Sequence, residues 1–273
     1  MTEYTAPVGA PVWIDLSSND VEKSVDFYRA VFGWEADPPA PEFGGYRNFR
    51  VNGAMVAGLM AAQQEGMPDM WSVYLRTDDA DASLAAAGSA GGTVVVPVAD
   101  VGDLGRFGFF IDPAGAAIGV WQPGTHAGFA ERGVPGTPYW FDCMSADYAA
   151  SSAFYRTVFG WDYEEVGTGG DPDAIGPDRY SQVMVAGPDG AAQGVAGIMD
   201  AKPLFDSGAF GAGMSSFWQV YITVDDVAAA GERITAAGGT VVQPGEVTPW
   251  GTLAAARDAN GGFFCYATPP AGM

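Results

Sequence analysis

The chain has 273 residues, 48% of them apolar, and a formal net charge of −21 from 33 acidic and 12 basic side chains. That length suits one large domain or two ordinary ones, and the acidic balance argues against nucleic acid and anionic membrane as partners. A single histidine, His126, and two distant cysteines, Cys143 and Cys265, exclude a two-histidine metal site, a zinc ribbon and a CxxC redox site. So few cysteines fit a reducing, cytoplasmic setting. No apolar run approaches the ~20 residues of a membrane span, and the first residues lack the pattern of a signal peptide.

In chain order, "VWIDL" from Val12 alternates as a strand. "NDVEKSVDFYRAVF" from Asn19 reads as a helix, with Asn19 or Asp20 as its cap and Gly33 at its end. "YRNFRVNG" and "MVAGLMA" form two strands around a turn, and "WSVYLRT" is a further strand. The Ala-rich stretch after Asp78 and Asp79 is a second helix, whose acidic pair reads as a cap favoured by the helix dipole. "TVVVPV", "GRFGFFID" and "AAIGVWQ" complete the sheet.

The same order then recurs. "PVWIDLSSNDVEKSVDFYRAVFGW" (Pro11 to Trp34) returns as "PYWFDCMSADYAASSAFYRTVFGW" (Pro138 to Trp161). "VAGLM" returns as "VAGIM", "GGTVVVP" as "GGTVVQP" and "DPAG" as "DANG". The second copy carries a longer loop around Gly167 to Pro177, and its Asp225 and Asp226 repeat the acidic cap. The expected division is residues 1–123, a Gly-rich linker over 124–136 with His126 at its surface, and residues 137–273. Each half is two βαβββ units.

Tandem βαβββ units, the "FYRAVFGW" helix end and the "DPAG…GVWQ" hairpin resemble the vicinal oxygen chelate superfamily of glyoxalases, bleomycin resistance proteins and extradiol dioxygenases, in its tandem, actinobacterial, hydroxylase-like or glyoxalase-like form. The resemblance implies an α+β fold of two glyoxalase-like modules, each a cupped mixed sheet. It also implies a divalent metal held from four strand positions per site. Those positions fall on Trp13, Gly58, Ser72 and Gly119, and on Trp140, Gly197, Gln219 and Cys265. Trp and Gly supply no ligand, so no metal and no cofactor is expected.

Strand alternation then assigns the cup lining. Val12, Ile14 and Leu16 pack under helices; Trp13 and Asp15 face the cup, with Ser72, Tyr74, Arg76 and Trp121. The second cup has Trp140, Asp142, Gln219, Tyr221, Phe263 and Cys265. Cys143 falls on the helix face and Cys265 in the cup, so no disulfide is expected. Asp15 and Asp142 read either as ion-paired structural residues, with Arg76 as one partner, or as carboxyls of raised pKa able to act as acid or base. If a cup is shared between modules, Trp13 faces Gln219 and Cys265, and Trp140 faces Ser72 and Gly119.

The leading expectation is metal-free binding of a hydrophobic, planar small molecule in an aromatic cavity, as in sequestering resistance proteins. The alternative is a metal-free isomerase, cyclase or lyase on a natural-product intermediate, with Asp15 or Asp142 as acid or base and Tyr74 or Tyr221 donating to an oxyanion. A metal-dependent lyase or dioxygenase is the third. A monomer suffices for two modules in one chain, and a homodimer stays open.

Overall fold

A computed structural model describes residues 5–63, 69–167, 179–187, 189–210 and 214–269; the predicted long loop of the second copy lies largely outside them. The first half runs β1 (Pro11–Ser18), α1 (Val21–Phe32), β2 (Glu35–Ala36), β3 (Arg47–Val51), β4 (Ala54–Ala61), β5 (Met70–Arg76), α2 (Ala80–Ser89), β6 (Thr93–Val101), β7 (Gly105–Ile111) and β8 (Ala117–Pro123). The second runs β9 (Pro138–Ser145), α3 (Tyr148–Phe159), β10 (Asp162–Val166), β11 (Tyr180–Ala186), β12 (Ala192–Asp200), α4 (Lys202–Asp206), β13 (Phe217–Thr223), α5 (Val227–Ala236), β14 (Thr240–Thr248), β15 (Gly251–Arg257) and β16 (Phe263–Thr268).

Local chemistry explains the boundaries. Asp20, Asp79, Asp147 and Asp226 each cap a helix by accepting from the backbone N–H three residues on. Of the two candidates at α1, Asp20 is the cap; the backbone N–H of Asn19 instead donates to Asp69. The β3–β4 hairpin turns on Asn52 and Gly53, both at positive φ (50° and 82°), the pair that such a two-residue turn demands. Gly88, inside α2, has open space where a side chain would stand. Gly88→Ala should raise stability by about 0.5 kcal/mol in thermal denaturation, because it removes only the conformational freedom of the unfolded glycine.

Each half forms one eight-stranded mixed sheet, β2-β3-β4-β1-β5-β8-β7-β6 and β10-β11-β12-β9-β13-β16-β15-β14. β1 lies antiparallel to β5 and parallel to β4, and β8 lies parallel to β5. The cups are therefore not shared between halves. Trp13 faces Tyr74 and Asp15 faces Ser72 within the first sheet; Trp140 faces Tyr221 and Asp142 faces Gln219 within the second. Both sides of β1 are buried, Val12, Ile14 and Leu16 on one and Trp13 and Asp15 on the other.

The halves are clasped reciprocally by the motif that carries the repeat. Tyr28 of α1 donates to Asp258 of the other half at 2.9 Å, and Tyr155 of α3 hydrogen-bonds Asp112. The Trp34 indole donates to the Gly136 carbonyl (2.6 Å) and the Trp161 indole to the Gly9 carbonyl (2.9 Å). Both tryptophans are fully buried, so "FYRAVFGW" is chiefly an interface motif. Among the described residues, no helix is long and apolar enough to cross a membrane.

Candidate functional site

Each cup is centred on a buried carboxyl. In the first, the Trp13 indole N–H is shared between Asp15 Oδ1 and the Tyr46 hydroxyl, each at 2.9 Å. The Tyr46 hydroxyl donates to Asp15 Oδ1 at 2.6 Å, and Tyr74 hydrogen-bonds the same carboxyl. The second cup repeats the pattern. Trp140 reaches Asp142 Oδ1 (3.0 Å) and the Tyr180 hydroxyl (2.9 Å), Tyr180 donates to Asp142 (3.0 Å), and Tyr221 hydrogen-bonds Asp142. Gln219 Nε2 donates to the Tyr221 hydroxyl at 2.6 Å.

Burial pushes both Asp15 and Asp142 up from the ordinary carboxylate range, and the hydrogen bonds from tyrosine and tryptophan only partly offset it. The tyrosines around them are raised well above their usual value by the same loss of water and by the adjacent carboxyls. Each centre can thus hold a proton on oxygen, with a ring of neutral donors around it.

The glycines decide the metal question in geometric terms. A Cβ at Gly58 would overlap the Tyr46 hydroxyl and Asp15 Oδ1, and one at Gly197 would overlap Asp142 Oδ1 and the Tyr180 hydroxyl. The space where the family places a ligand is filled by the Asp–Tyr hydrogen bond. Gly119 is filled likewise by the Tyr74 ring. What remains is Ser72 in one cup, and Gln219 with Cys265 in the other. Burial and the nearby Asp142 push the Cys265 thiol up, away from the thiolate a metal needs. These residues do not fit a divalent metal, and among the described residues no group of three or more His, Cys, Asp or Glu is placed to hold one.

Other predicted residues fall differently. Arg76 does not pair with Asp15: its guanidinium donates to the Ala6 carbonyl (2.8 Å) and to Asp78 (2.9 Å), outside the Trp13–Asp15–Tyr46–Tyr74 tetrad, in which Asp15 takes its hydrogen bonds from neutral donors. His126 is half-buried and not a free surface residue of the linker. The linker turns back over the first cup, with the His126 and Gly124 N–H groups on the Leu104 carbonyl. The imidazole stands edge-on to Trp13, ring centroids 4.5 Å apart at 87°, and 5.5 Å from Trp121. The Trp121 indole holds the His126 carbonyl at 2.9 Å. Both His126 ring nitrogens are buried with no hydrogen-bond partner. Burial, helped by the charge of Arg50, lowers its pKa to about 4.

The second cup is more open. Tyr139, Trp140, Leu253 and Phe263 are only half-buried around the buried Tyr221, Ala255 and Cys265, and Trp250 is half-buried as well. Trp250 leans on the Tyr180 ring at 5.7 Å. Cys143 and Cys265 are both free and buried. Sequence reasoning missed Tyr46, Tyr180, Tyr139 and Trp250. The tyrosine opening both "YRNFRV" and "YSQVMV" was the available signal for the first two.

The sequence matches the Glyoxalase/Bleomycin resistance protein/Dioxygenase superfamily over residues 10–120 and 140–266. It is 33% identical to CFP32 of Mycobacterium tuberculosis, which carries a glyoxylase name, over 96% of this chain and 95% of that one. It is 35% identical to the anthracycline biosynthesis protein DnrV of Streptomyces peucetius, over 97% and 94%. Among solved structures, the Mn(II)-bound glyoxalase of Novosphingobium aromaticivorans aligns over 96% of this chain and 82% of its own, with a TM-score of 0.62 at 17% identity; that likeness is one of fold. Two matched modules, two cupped βαβββ sheets and full-length relatives agree: the chain belongs to the glyoxalase/bleomycin resistance protein/dioxygenase superfamily.

Proposed function

We propose that the chain binds a flat aromatic small molecule on the open cup of its second half, without a metal ion. The observation that carries this is the half-exposed rim of Tyr139, Trp140, Trp250 and Phe263 beside a tetrad whose polar atoms bond one another. Half-exposed ring faces and edges favour stacking of a planar, weakly polar ligand. A relative named for anthracycline biosynthesis supports a fused-ring polyketide as the class. The raised carboxyl of Asp142 favours a second reading, proton transfer to or from such a ring by a metal-free isomerase, cyclase or lyase. Binding stands first because Asp142 and the tyrosines are already committed to each other.

Tryptophan fluorescence titration with 1,8-dihydroxyanthraquinone in excess EDTA tests it. Binding should survive EDTA, and Trp250→Ala and Trp140→Ala should each weaken it roughly tenfold or more, the usual cost of removing a central aromatic anchor. Binding that vanishes with EDTA and returns with manganese or zinc overturns the metal-free reading. Asp142→Asn separates the two functions: it should leave binding in place, whereas a loss of turnover on a candidate substrate would favour the enzyme.

A further inference from the structure

The two cups can be compared residue by residue through their register: low in the cup Ser72 answers to Gln219, Gly119 to Cys265 and Phe109 to Ala255, and a further difference lies at the rim. Tyr74 pairs with Gly119 and Tyr221 with Cys265, so Trp121 of the first sheet corresponds to Ala267 of the second. Leu104, before the positive-φ glycine that opens β7, corresponds to Trp250, before the one that opens β15. The tetrads beneath are the same. Above Trp13 stand the His126 imidazole and, at 5.6 Å, the Phe129 ring. Above Trp140, among the described residues, no ring makes such a contact.

The His126 ring is held there by its backbone and not by its own polar atoms. The carbonyl accepts from Trp121, the N–H donates to Leu104, and Phe129 N–H reaches the Val12 carbonyl. The imidazole itself gains only ring contacts, and both its nitrogens are stripped of water without a partner. A buried polar ring that forms no hydrogen bond costs stability. Its pKa of about 4 keeps it uncharged at neutral pH. It therefore behaves as a neutral, flat, aromatic occupant of an indole-walled cup, the same chemistry that the open cup offers to a ligand.

We propose that the first cup is a second site for a neutral aromatic ring, kept shut by the chain's own linker, with the His126 imidazole standing where a ligand ring stands against Trp140. This rests on the reading of the second cup as a ring-binding site. The chain then takes one ligand while His126 is in place and two once it is gone. The linker is a resident competitor, clamped by the Trp121 indole, for which the second sheet has Ala267.

Isothermal titration of the full chain with 1,8-dihydroxyanthraquinone tests this. Indole N–H resonances of Trp13 and Trp140, assigned by substitution, report which cup fills. The expected stoichiometry is one for the unaltered chain, with Trp140 alone responding. His126→Gly should give two, with Trp13 also shifting; His126→Ala is a second variant should the glycine loosen the linker. His126→Phe keeps a ring in the cup and should stay at one. Two ligands on the unaltered chain, or one on a folded His126→Gly and His126→Ala with Trp13 unmoved, overturns the proposal. If the unaltered chain binds none but His126→Gly binds one at Trp13, the plug stands and the reading of the open cup falls. If neither binds, both fall.

Discussion

Gly197→Ala and Gly58→Ala should each destabilise the protein by about 2–5 kcal/mol, measured as a shift in the urea midpoint at unchanged slope. The new Cβ enters the space held by the Asp–Tyr hydrogen bond, and a rigid strand backbone leaves the tyrosine as the group that must move. Forcing an atom into a packed core costs ~1–3 kcal/mol, and stripping a buried carboxyl of a donor costs a comparable amount again. Gly58 lies opposite Asp15 and Gly197 opposite Asp142 in parallel pairs, so neither strand can yield alone. A loss below about 0.5 kcal/mol, the range of ordinary surface changes, would show that the tetrad does not need these glycines.

His126→Phe should stabilise the protein, and more so in acid. Near neutrality the gain is about 1–2 kcal/mol, from removing two buried nitrogens that lack partners. The folded pKa of His126, about 4, lies below the ordinary histidine value near 6.5. The unfolded chain therefore takes up the proton first as pH falls. Wild-type stability is lost between about pH 6.5 and pH 4, by roughly 2–3 kcal/mol, while phenylalanine has no such loss. Asp15, Asp112, Asp142 and Asp258 act oppositely. Their pKa values are raised by burial, so what they contribute is present below the ordinary carboxylate range and lost as pH rises through the raised values. Both proteins share those four groups, so the difference between their urea midpoints at pH 7, 5 and 4 isolates the histidine. A gap that stays constant with pH would contradict its burial.

The architecture was legible because duplication prints every element twice. Alternation placed Val12, Ile14 and Leu16 against Trp13 and Asp15 correctly, and the helix-opening aspartates gave the caps. The replacement of ligand positions by Trp and Gly was also readable, but not its reason. Tyr46, just before β3, and Tyr180, at the start of β11, belong to the hairpin that differs in length between copies, so the repeat alignment broke where they lie. Without them, Asp15 lacked a partner and Arg76 was drawn in by charge alone. His126 misled for another cause. A Gly-rich stretch between two repeats reads as a tether, and no local pattern reveals that it folds back on a cup built earlier in the chain.

The reciprocal grip of Trp34 on Gly136 and Trp161 on Gly9 has a thermodynamic corollary. Each half lends the indole that fixes the segment leading into the other half's opening strand. A half on its own would face water with an unmatched carbonyl, an orphaned indole and the apolar flank around Tyr28 or Tyr155. Melting of either half removes the other's fastening. The chain should therefore melt as a single calorimetric unit whose enthalpy is that of the whole molecule, despite a sequence that reads as two of everything.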